Sequence, residues 1–228
     1  MPMLRKVSFA PDEWYHCYNR GVDKRIIYKN AVDYRRFQML LYGCNSTERI
    51  VLSDFRKKSG GPSLEFLIET QDRKRLLVDI GAYALMPNHY HLLLREREPG
   101  GISLFMRKLC TGYAMSFNLR YERTGVLFAG RFKARHVSED RYMRRVVNYI
   151  HANPAELFEH NFKEGKIRNL SALQREMFTY PYSSYRDYQL GEERHEAALL
   201  SRDQLRDATD VDLGFGRIMQ DAMDFRKL

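Results

Sequence analysis

Cysteines, long apolar runs and repeated segments are all scarce in this sequence. Its 228 residues include only three cysteines. Cys17, Cys44 and Cys110 are too few and too widely spaced for a disulfide framework or a clustered cysteine–zinc site. No apolar run is long enough to span a bilayer, and the N-terminal segment lacks the apolar stretch of a signal peptide. We therefore expect a globular protein of the reducing cytoplasm that does not bind membranes.

The charge of the chain is positive and unevenly distributed. Hydrophobic residues make up 44% of the sequence and charged residues 29%, which is typical of a globular protein with a sizeable core. The net charge is +9, and residues 1–151 contain 27 Lys and Arg against 15 Asp and Glu. Residues 152–228 contain 11 against 14. The first two-thirds of the chain therefore favour a polyanionic partner, and a merely solvated basic surface is the alternative.

Two histidines separated by one residue lie in a segment that predicts a β-strand. His89 and His91 should project from the same face of that strand, with Cα atoms roughly 6–7 Å apart at about 3.3 Å of rise per residue. Two imidazoles at this spacing can converge on one divalent metal. A histidine-triad hydrolase would need a third alternating histidine, and Leu93 occupies that position. Two ordinary strand histidines are the other alternative.

Residues 138–154 predict an amphipathic helix that holds a phenol beside an amide. Ser138 is a suitable N-cap, and Pro154 is typical of a helix end. Tyr149 and Asn153 are four residues apart and share one face of this helix. The Asn153 amide oxygen could be a third metal ligand, which would place the Tyr149 hydroxyl beside the metal. The predicted buried stripe consists of Met143, Val146, Val147 and Ile150.

Hydrophobic periodicity along the chain predicts strand, helix, two strands, helix, strand and helix. The predicted strands cover residues 14–20, 76–85, 89–95 and 128–137, and the earlier helices cover 30–42 and 102–123. This order predicts an α+β fold, with one mainly antiparallel sheet and helices packed on it. We assign residues 1–157 to a core domain with a probable insertion at 46–76. Residues 158–228 form a helical C-terminal extension that we expect to pack on this core.

Basic residues accumulate just before and within the Tyr149 helix. Arg131, Lys133 and Arg135 alternate along the predicted strand and should share one face, where they suit a phosphate backbone. The alternative is an edge strand that uses charge to prevent aggregation. Three further arginines on the helix favour nucleic-acid binding: Arg141, Arg144 and Arg145.

Four motifs, in this order, resemble those of the HUH single-tyrosine transposases, and within them the REP-associated tyrosine transposases. They are Tyr-His-Cys-Tyr-Asn-Arg-Gly at 15–21, Met-Pro-Asn-His-Tyr-His-Leu at 86–92, the segment 125–137, and Tyr-Ile-His-Ala-Asn-Pro at 149–154. The resemblance covers roughly residues 14–157. It implies a ferredoxin-like, HUH-type fold in which Tyr149 is the nucleophile. It also implies that His89, His91 and Asn153 bind Mg²⁺ or Mn²⁺; ligand softness alone would favour Mn²⁺ or Zn²⁺.

The resemblance implies a metal-dependent endonuclease and transposase that cuts and rejoins single-stranded DNA near hairpins. Its intermediate would be a 5′-phosphotyrosine on Tyr149, and its partners would be single-stranded or hairpin DNA. Tyr142, seven residues earlier on nearly the same helix face, is the rival nucleophile. A non-catalytic single-strand-binding module and a domesticated transposase remain open as alternatives, and so does the choice between monomer and homodimer.

Overall fold

The centre of the protein is a four-stranded antiparallel sheet. The computed structural model describes residues 7–48, 63–189, 194–209 and 214–225. The strands are β1 (Trp14–Arg20), β2 (Val78–Met86), β3 (His89–Glu96) and β4 (Lys133–Val137), in the spatial order β2-β3-β1-β4. Every neighbouring pair is antiparallel. This confirms the predicted α+β class.

The helices occupy the two crossover connections and the region after β4. The first crossover contains α1 (Ala31–Gly43) and α2 (Leu64–Thr70), and the second contains α3 (Gly101–Arg120). With the strand order above, this is the βαββαβ arrangement of a ferredoxin-like fold. The later helices are α4 (Asp140–Ala152), α5 (Ala155–Phe158), α6 (Leu170–Thr179), α7 (Tyr185–Gln189), α8 (Arg202–Ala208) and α9 (Phe215–Phe225).

The alternation of side chains along the strands divides the sheet between two apolar layers. On one face, Cys17, Tyr90 and Leu92 pack with residues of α1 and α3. On the other face, Trp14 and Leu93 pack with residues of α4. His89 and His91 alternate with Tyr90 and Leu92, so both histidines lie on the α4 side of the sheet.

The outer edge of β2 is covered by the C-terminal region. The amide of Ser184 donates to the carbonyl of Tyr83 (3.0 Å), and the amide of Leu85 donates to the carbonyl of Tyr182 (2.9 Å). Further along, the amide of Ser201 donates to the carbonyl of Ile80 (2.9 Å). These bonds satisfy backbone groups that an open edge strand would leave exposed. The assigned boundary at residue 157 remains a prediction.

Several boundaries differ from the sequence-based prediction. The last strand begins at Lys133, because Gly130 has a left-handed φ of +82° and Phe128 forms only an isolated bridge to Gly21. The expectation that Arg131 shares the strand face was therefore wrong. The prediction of Ser138 as N-cap was also wrong, because α4 begins one residue later with Glu139 in that position.

The proposed insertion at 46–76 contains α2, whose N-cap Ser63 accepts a hydrogen bond from the amide of Phe66 (3.1 Å). Residues 49–62 lie outside the described residues, and whether the segment is an insertion remains a prediction. Within the described ranges, no helix combines the length and the apolar character needed to cross a membrane.

Candidate active site

The two strand histidines lie next to each other on the α4 side of the sheet. Their ring centroids are 5.1 Å apart, and the ring planes are nearly perpendicular, at 89°. His91 is buried, with 6% of its surface exposed, whereas His89 is half-buried at the start of β3. The spacing predicted from the His-Tyr-His pattern therefore produces adjacent imidazoles on one face.

Tyr149 lies directly against these histidines. Its ring meets the ring of His91 edge to face, with centroids 5.4 Å apart, and meets the ring of His16 at 5.9 Å. The position of Tyr149 follows from the packing of α4, because its buried residues Val147 and Ile150 hold the helix on the sheet. The two segments that the sequence places about sixty residues apart thus meet in one site.

Asn153 is the C-cap of α4 and is almost completely buried. Its Nδ2 donates a hydrogen bond to the backbone carbonyl of Tyr149 across 2.7 Å. The Asn153 side chain is thereby fixed one helical turn beyond the tyrosine. Because the amide nitrogen is already used, any contribution to a metal would come from its oxygen.

The donor set predicted from the sequence consists of two imidazoles and one amide. The described residues contain no group of three His, Cys, Asp or Glu side chains that could hold a metal ion. Two imidazoles and one amide could hold a divalent ion whose remaining positions are taken by water and phosphate oxygens, and these donors favour Mn²⁺ or Zn²⁺ over Mg²⁺. The sequence-predicted ligands therefore remain the candidates.

Two residues outside the predicted site contact its histidines. Asn88 Oδ1 is 2.7 Å from His89 Nδ1, and His16 Nε2 is 2.8 Å from His91 Nδ1. The sequence shows Asn88 only as part of a turn and His16 only as a strand residue. Period two places His16 and Tyr18 on one face of β1, but the register that sets β1 against β3 cannot be read from the sequence.

Burial keeps His16 neutral. Its side chain is almost fully buried, and desolvation, followed by the positive charge of Arg135, lowers its pKa to about 3. His151 has its pKa lowered to about 3 by burial alone. His151 Nε2 lies 2.9 Å from the hydroxyl oxygen of Ser184, so this histidine points away from Tyr149, as the sequence predicts.

The cations of the edge strand lie on the same face as the histidines. Lys133 is paired with Tyr18 and Arg135 with His16 in the β1–β4 register, and both basic side chains are exposed. On α4, Arg145 and Arg141 precede Tyr149 by four and eight residues and follow its helix face. Arg144 is five residues away from Tyr149 and turns from that face. Arg131 is exposed and precedes β4.

A cavity of about 740 Å³ opens beside His89, and no pattern in the sequence predicts it. Tyr18, Leu157 and Ile26 contribute aromatic and apolar surface to its wall. The charged residues of the wall are Arg20, Lys24, Lys133 and Glu156. The cavity therefore combines positive charge with surface on which a base can stack.

The C-terminal helix α9 covers the outer side of the Tyr149 ring. Phe225 lies 4.7 Å from Tyr149 and 5.8 Å from Tyr142, centroid to centroid. Tyr142 thus shares an aromatic neighbour with Tyr149, and its ring packs at the edge of the α4 apolar cluster.

Comparison with known proteins finds a family match over part of the chain. Residues 62–153 match the family described as "Transposase IS200 like". No curated protein matches the chain. The chain is similar to a solved structure described as a REP-associated tyrosine transposase bound to a REP hairpin. Sequence identity is 15%, the similarity covers 86% of this chain and 90% of that chain, and the TM-score is 0.45.

The matched segment runs from α2 through α4 and contains the two strand histidines, Tyr149 and Asn153. The transposase resemblance of the sequence motifs is therefore confirmed. Residues 62–153 of this chain are therefore similar to the IS200-like transposases.

Proposed function

We propose that this protein is a metal-dependent DNA endonuclease and transposase that uses Tyr149 as its nucleophile. The observation that carries the proposal is the edge-to-face contact between Tyr149 and His91, with centroids 5.4 Å apart. A phenol beside two adjacent imidazoles and a buried amide is a suitable arrangement for phosphoryl transfer. The family match over residues 62–153 supports the same class of DNA-processing enzyme.

The reaction is a transesterification at a phosphodiester of single-stranded DNA. The phenolic oxygen of Tyr149 attacks phosphorus and loses its proton, while the bond from phosphorus to the 3′ oxygen breaks. The leaving 3′ oxygen takes up a proton and becomes a free hydroxyl. The product is a 5′-phosphotyrosine that keeps the phosphodiester energy, so that a 3′-hydroxyl of another strand can resolve it without external energy.

A phenol needs help at neutral pH, because its reference pKa is about 10. His89, His91 and Asn153 would hold Mg²⁺ or Mn²⁺, which would polarise a non-bridging phosphate oxygen and neutralise charge that develops at phosphorus. The chain itself supplies the position of the nucleophile. Val147 and Ile150 anchor α4 to the sheet, and Asn153 fixes its end to the carbonyl of Tyr149.

The substrate that we propose is a DNA hairpin with a single-stranded flank. Lys133 and Arg135 line the histidine face along the exposed edge strand and suit consecutive phosphates. We assign Arg131, Arg141 and Arg145 to the same DNA-binding surface, and a contact of Arg144 with DNA stays a prediction, because this residue turns from the Tyr149 face.

A non-catalytic single-strand-binding module is the second candidate. The cavity beside His89 favours it, because a basic pocket with an aromatic wall binds single strands whether or not Tyr149 reacts. The two candidates differ in one property, which is the formation of a covalent protein–DNA bond.

The test is covalent capture of DNA. The substrate would be a hairpin with a single-stranded flank, labelled at either the 5′ or the 3′ end of the whole strand. We would incubate it with the protein and Mn²⁺ and then run a denaturing gel. A 5′-phosphotyrosine attaches the downstream fragment, so the 3′ label should migrate with the protein and the 5′ label should appear as a short free fragment. Binding without either product would favour the single-strand-binding module.

A further inference from the structure

We propose that Asn88 and His16 are positioning residues for the two histidines: Asn88 holds the proton of His89 on Nδ1, and His16 accepts a hydrogen bond from Nδ1 of His91 when a metal binds, so that Nε2 of each ring is the metal-ligating nitrogen. The inference rests on the proposed metal-dependent function. It extends the site from three candidate ligands to the side chains that orient them. Histidine ligands in metal sites commonly donate their second ring N–H to such a partner, which fixes the tautomer and the ring orientation.

The contact of His89 permits only one tautomer. Asn88 Oδ1 lies 2.7 Å from His89 Nδ1, and an amide oxygen can only accept a hydrogen bond. The orientation of the amide is fixed independently, because Asn88 Nδ2 donates to the backbone carbonyl of Lys24 (3.2 Å). His89 must therefore carry its proton on Nδ1. In the neutral ring, the lone pair that can bind a metal is then on Nε2.

The contact of His91 has the same geometry but allows two proton positions. His16 Nε2 lies 2.8 Å from His91 Nδ1 in a buried environment, and each ring nitrogen can either donate or accept. If His16 donates, the proton of His91 is on Nε2, where it blocks a metal. If His91 donates, its Nε2 carries the lone pair. Only the second arrangement is compatible with metal binding.

The His16–His91 contact by itself does not choose between these two arrangements. In either one, His16 Nδ1 is buried and has no hydrogen-bond partner among the described residues. Binding of a metal at His91 Nε2 would select the arrangement in which His91 carries its proton on Nδ1 and neutral His16 carries its proton on Nδ1. Starting from the other arrangement, the contact proton moves from His16 Nε2 to His91 Nδ1, His91 gives up its Nε2 proton, and His16 takes up one proton on Nδ1. Asn88 thus fixes the tautomer of His89 before a metal binds, whereas His16 offers an acceptor for the Nδ1 proton of His91 once a metal has bound.

A spectroscopic test separates positioning from packing. Long-range ¹H–¹⁵N spectra of the histidine rings report which nitrogen carries the proton. In the metal-free protein, we expect His89 to be protonated on Nδ1. Excess Mg²⁺ should convert His91 fully to the Nδ1–H form and shift the ring signals of His16 as well. A metal-free His89 with its proton on Nε2 would overturn the assignment of Asn88.

Substitutions test the same idea through Mn²⁺ affinity, followed by electron paramagnetic resonance of the free ion. His16→Gln places an amide where Nε2 was, and its oxygen can accept from His91, so affinity should stay within a few-fold. His16→Leu preserves bulk but offers no acceptor, and it should weaken binding by about 10- to 100-fold. His151→Leu is the matched control, because it also removes a buried neutral imidazole but does not contact His91.

Asn88 can be tested in the same titration. Asn88→Asp keeps the acceptor for His89 and removes only the donor to Lys24, so Mn²⁺ affinity should be retained or increased. Asn88→Leu removes both and should weaken binding by about 10- to 100-fold. Equal Mn²⁺ affinity in wild type, His16→Leu and Asn88→Leu would overturn the inference. Absence of Mn²⁺ binding in the wild type would instead reject the proposed metal site, while the metal-free tautomer of His89 would still test the role of Asn88.

Discussion

The rings of Tyr149 and His91 meet edge to face, with centroids 5.4 Å apart and planes at 83°. One ring is on α4 and the other is on the central strand β3, so the contact joins two elements that are far apart in sequence. The geometry orients the Tyr149 ring relative to the histidine pair. Removal of the Tyr149 hydroxyl leaves this ring contact in place, so the roles of the hydroxyl and of the two imidazoles can be tested with separate variants.

The first prediction concerns the nucleophile. Tyr149→Phe removes only the hydroxyl and keeps the ring contacts with His91 and Phe225. Cleavage and adduct formation should fall by about three orders of magnitude or more, because no other group replaces a lost nucleophile. Hairpin affinity should stay within a few-fold. Tyr142→Phe is the control, since Tyr142 also contacts Phe225, and it should cleave normally; loss of cleavage there instead would move the assignment to Tyr142.

The second prediction concerns the metal ligands. His89→Ala and His91→Ala should each abolish cleavage, and excess chelator should inactivate the wild type until Mn²⁺ is restored. Asn153→Ala should be milder for the chemistry, because a neutral amide is the weakest of the three ligands. It also removes the hydrogen bond to the Tyr149 carbonyl and should cost about 1 kcal/mol of stability. Full activity in chelator would remove the metal from the mechanism.

The central site could be predicted from the sequence because each half of it is local. Period two in β3 places His89 and His91 on one face, and the four-residue spacing in α4 places Tyr149 and Asn153 together. What brings the two halves into contact is the packing of α4 on the sheet, and only the family resemblance indicated that contact in advance.

The supporting residues could not be predicted, because their roles depend on strand register. His16 reaches His91 only because β1 lies between β3 and β4, and spacing along the chain contains no information about that order. Phe225 follows Tyr149 by 76 positions, and its contact requires α9 to fold back on α4. The prediction for Arg131 was wrong for a local reason, since the left-handed Gly130 delays the start of β4.

The third prediction concerns stability against pH. Burial lowers the folded-state pKa of His151 to about 3, whereas the unfolded imidazole titrates near 6.5. As the pH falls below about 6.5, the imidazole of His151 takes up a proton in the unfolded state but stays neutral in the folded state. Protonation of His151 in the unfolded state therefore lowers the free energy of unfolding by about 1.4 kcal/mol per pH unit between pH 6.5 and the folded-state pKa of about 3, and has no effect above pH 6.5.

The measurement is urea unfolding of wild type and His151→Leu at several pH values between 7 and 5, with chelator present. The difference between the two proteins isolates His151 from groups of opposite effect, such as Asp187, whose pKa burial raises to about 6. The variant should lose stability less steeply with acid. Parallel curves would show that folding does not lower the pKa of His151.

The fourth prediction concerns the DNA that is bound. A phosphate that must reach Tyr149 beside the histidines needs an accessible strand, because continuous duplex keeps its bases stacked and its backbone stiff. We therefore expect tight binding to an imperfect hairpin with a single-stranded flank and weak binding to a blunt duplex of equal length. Affinity should fall steeply with salt, by roughly 0.7 to 0.9 log units per log unit of salt for each phosphate neutralised.

Single charge removals assign that salt dependence to particular residues. Arg135→Ala should reduce the slope by about one phosphate equivalent, because Arg135 is exposed on the histidine face of the edge strand. Arg131→Ala tests whether the residue before the strand still contacts DNA. Arg168→Ala is the control, since Arg168 is paired with Glu159 in the C-terminal region and should leave the slope unchanged.

Equal affinity for hairpin and duplex across the salt series would reject hairpin recognition. An unchanged slope in Arg135→Ala would remove the edge strand from the DNA-binding surface.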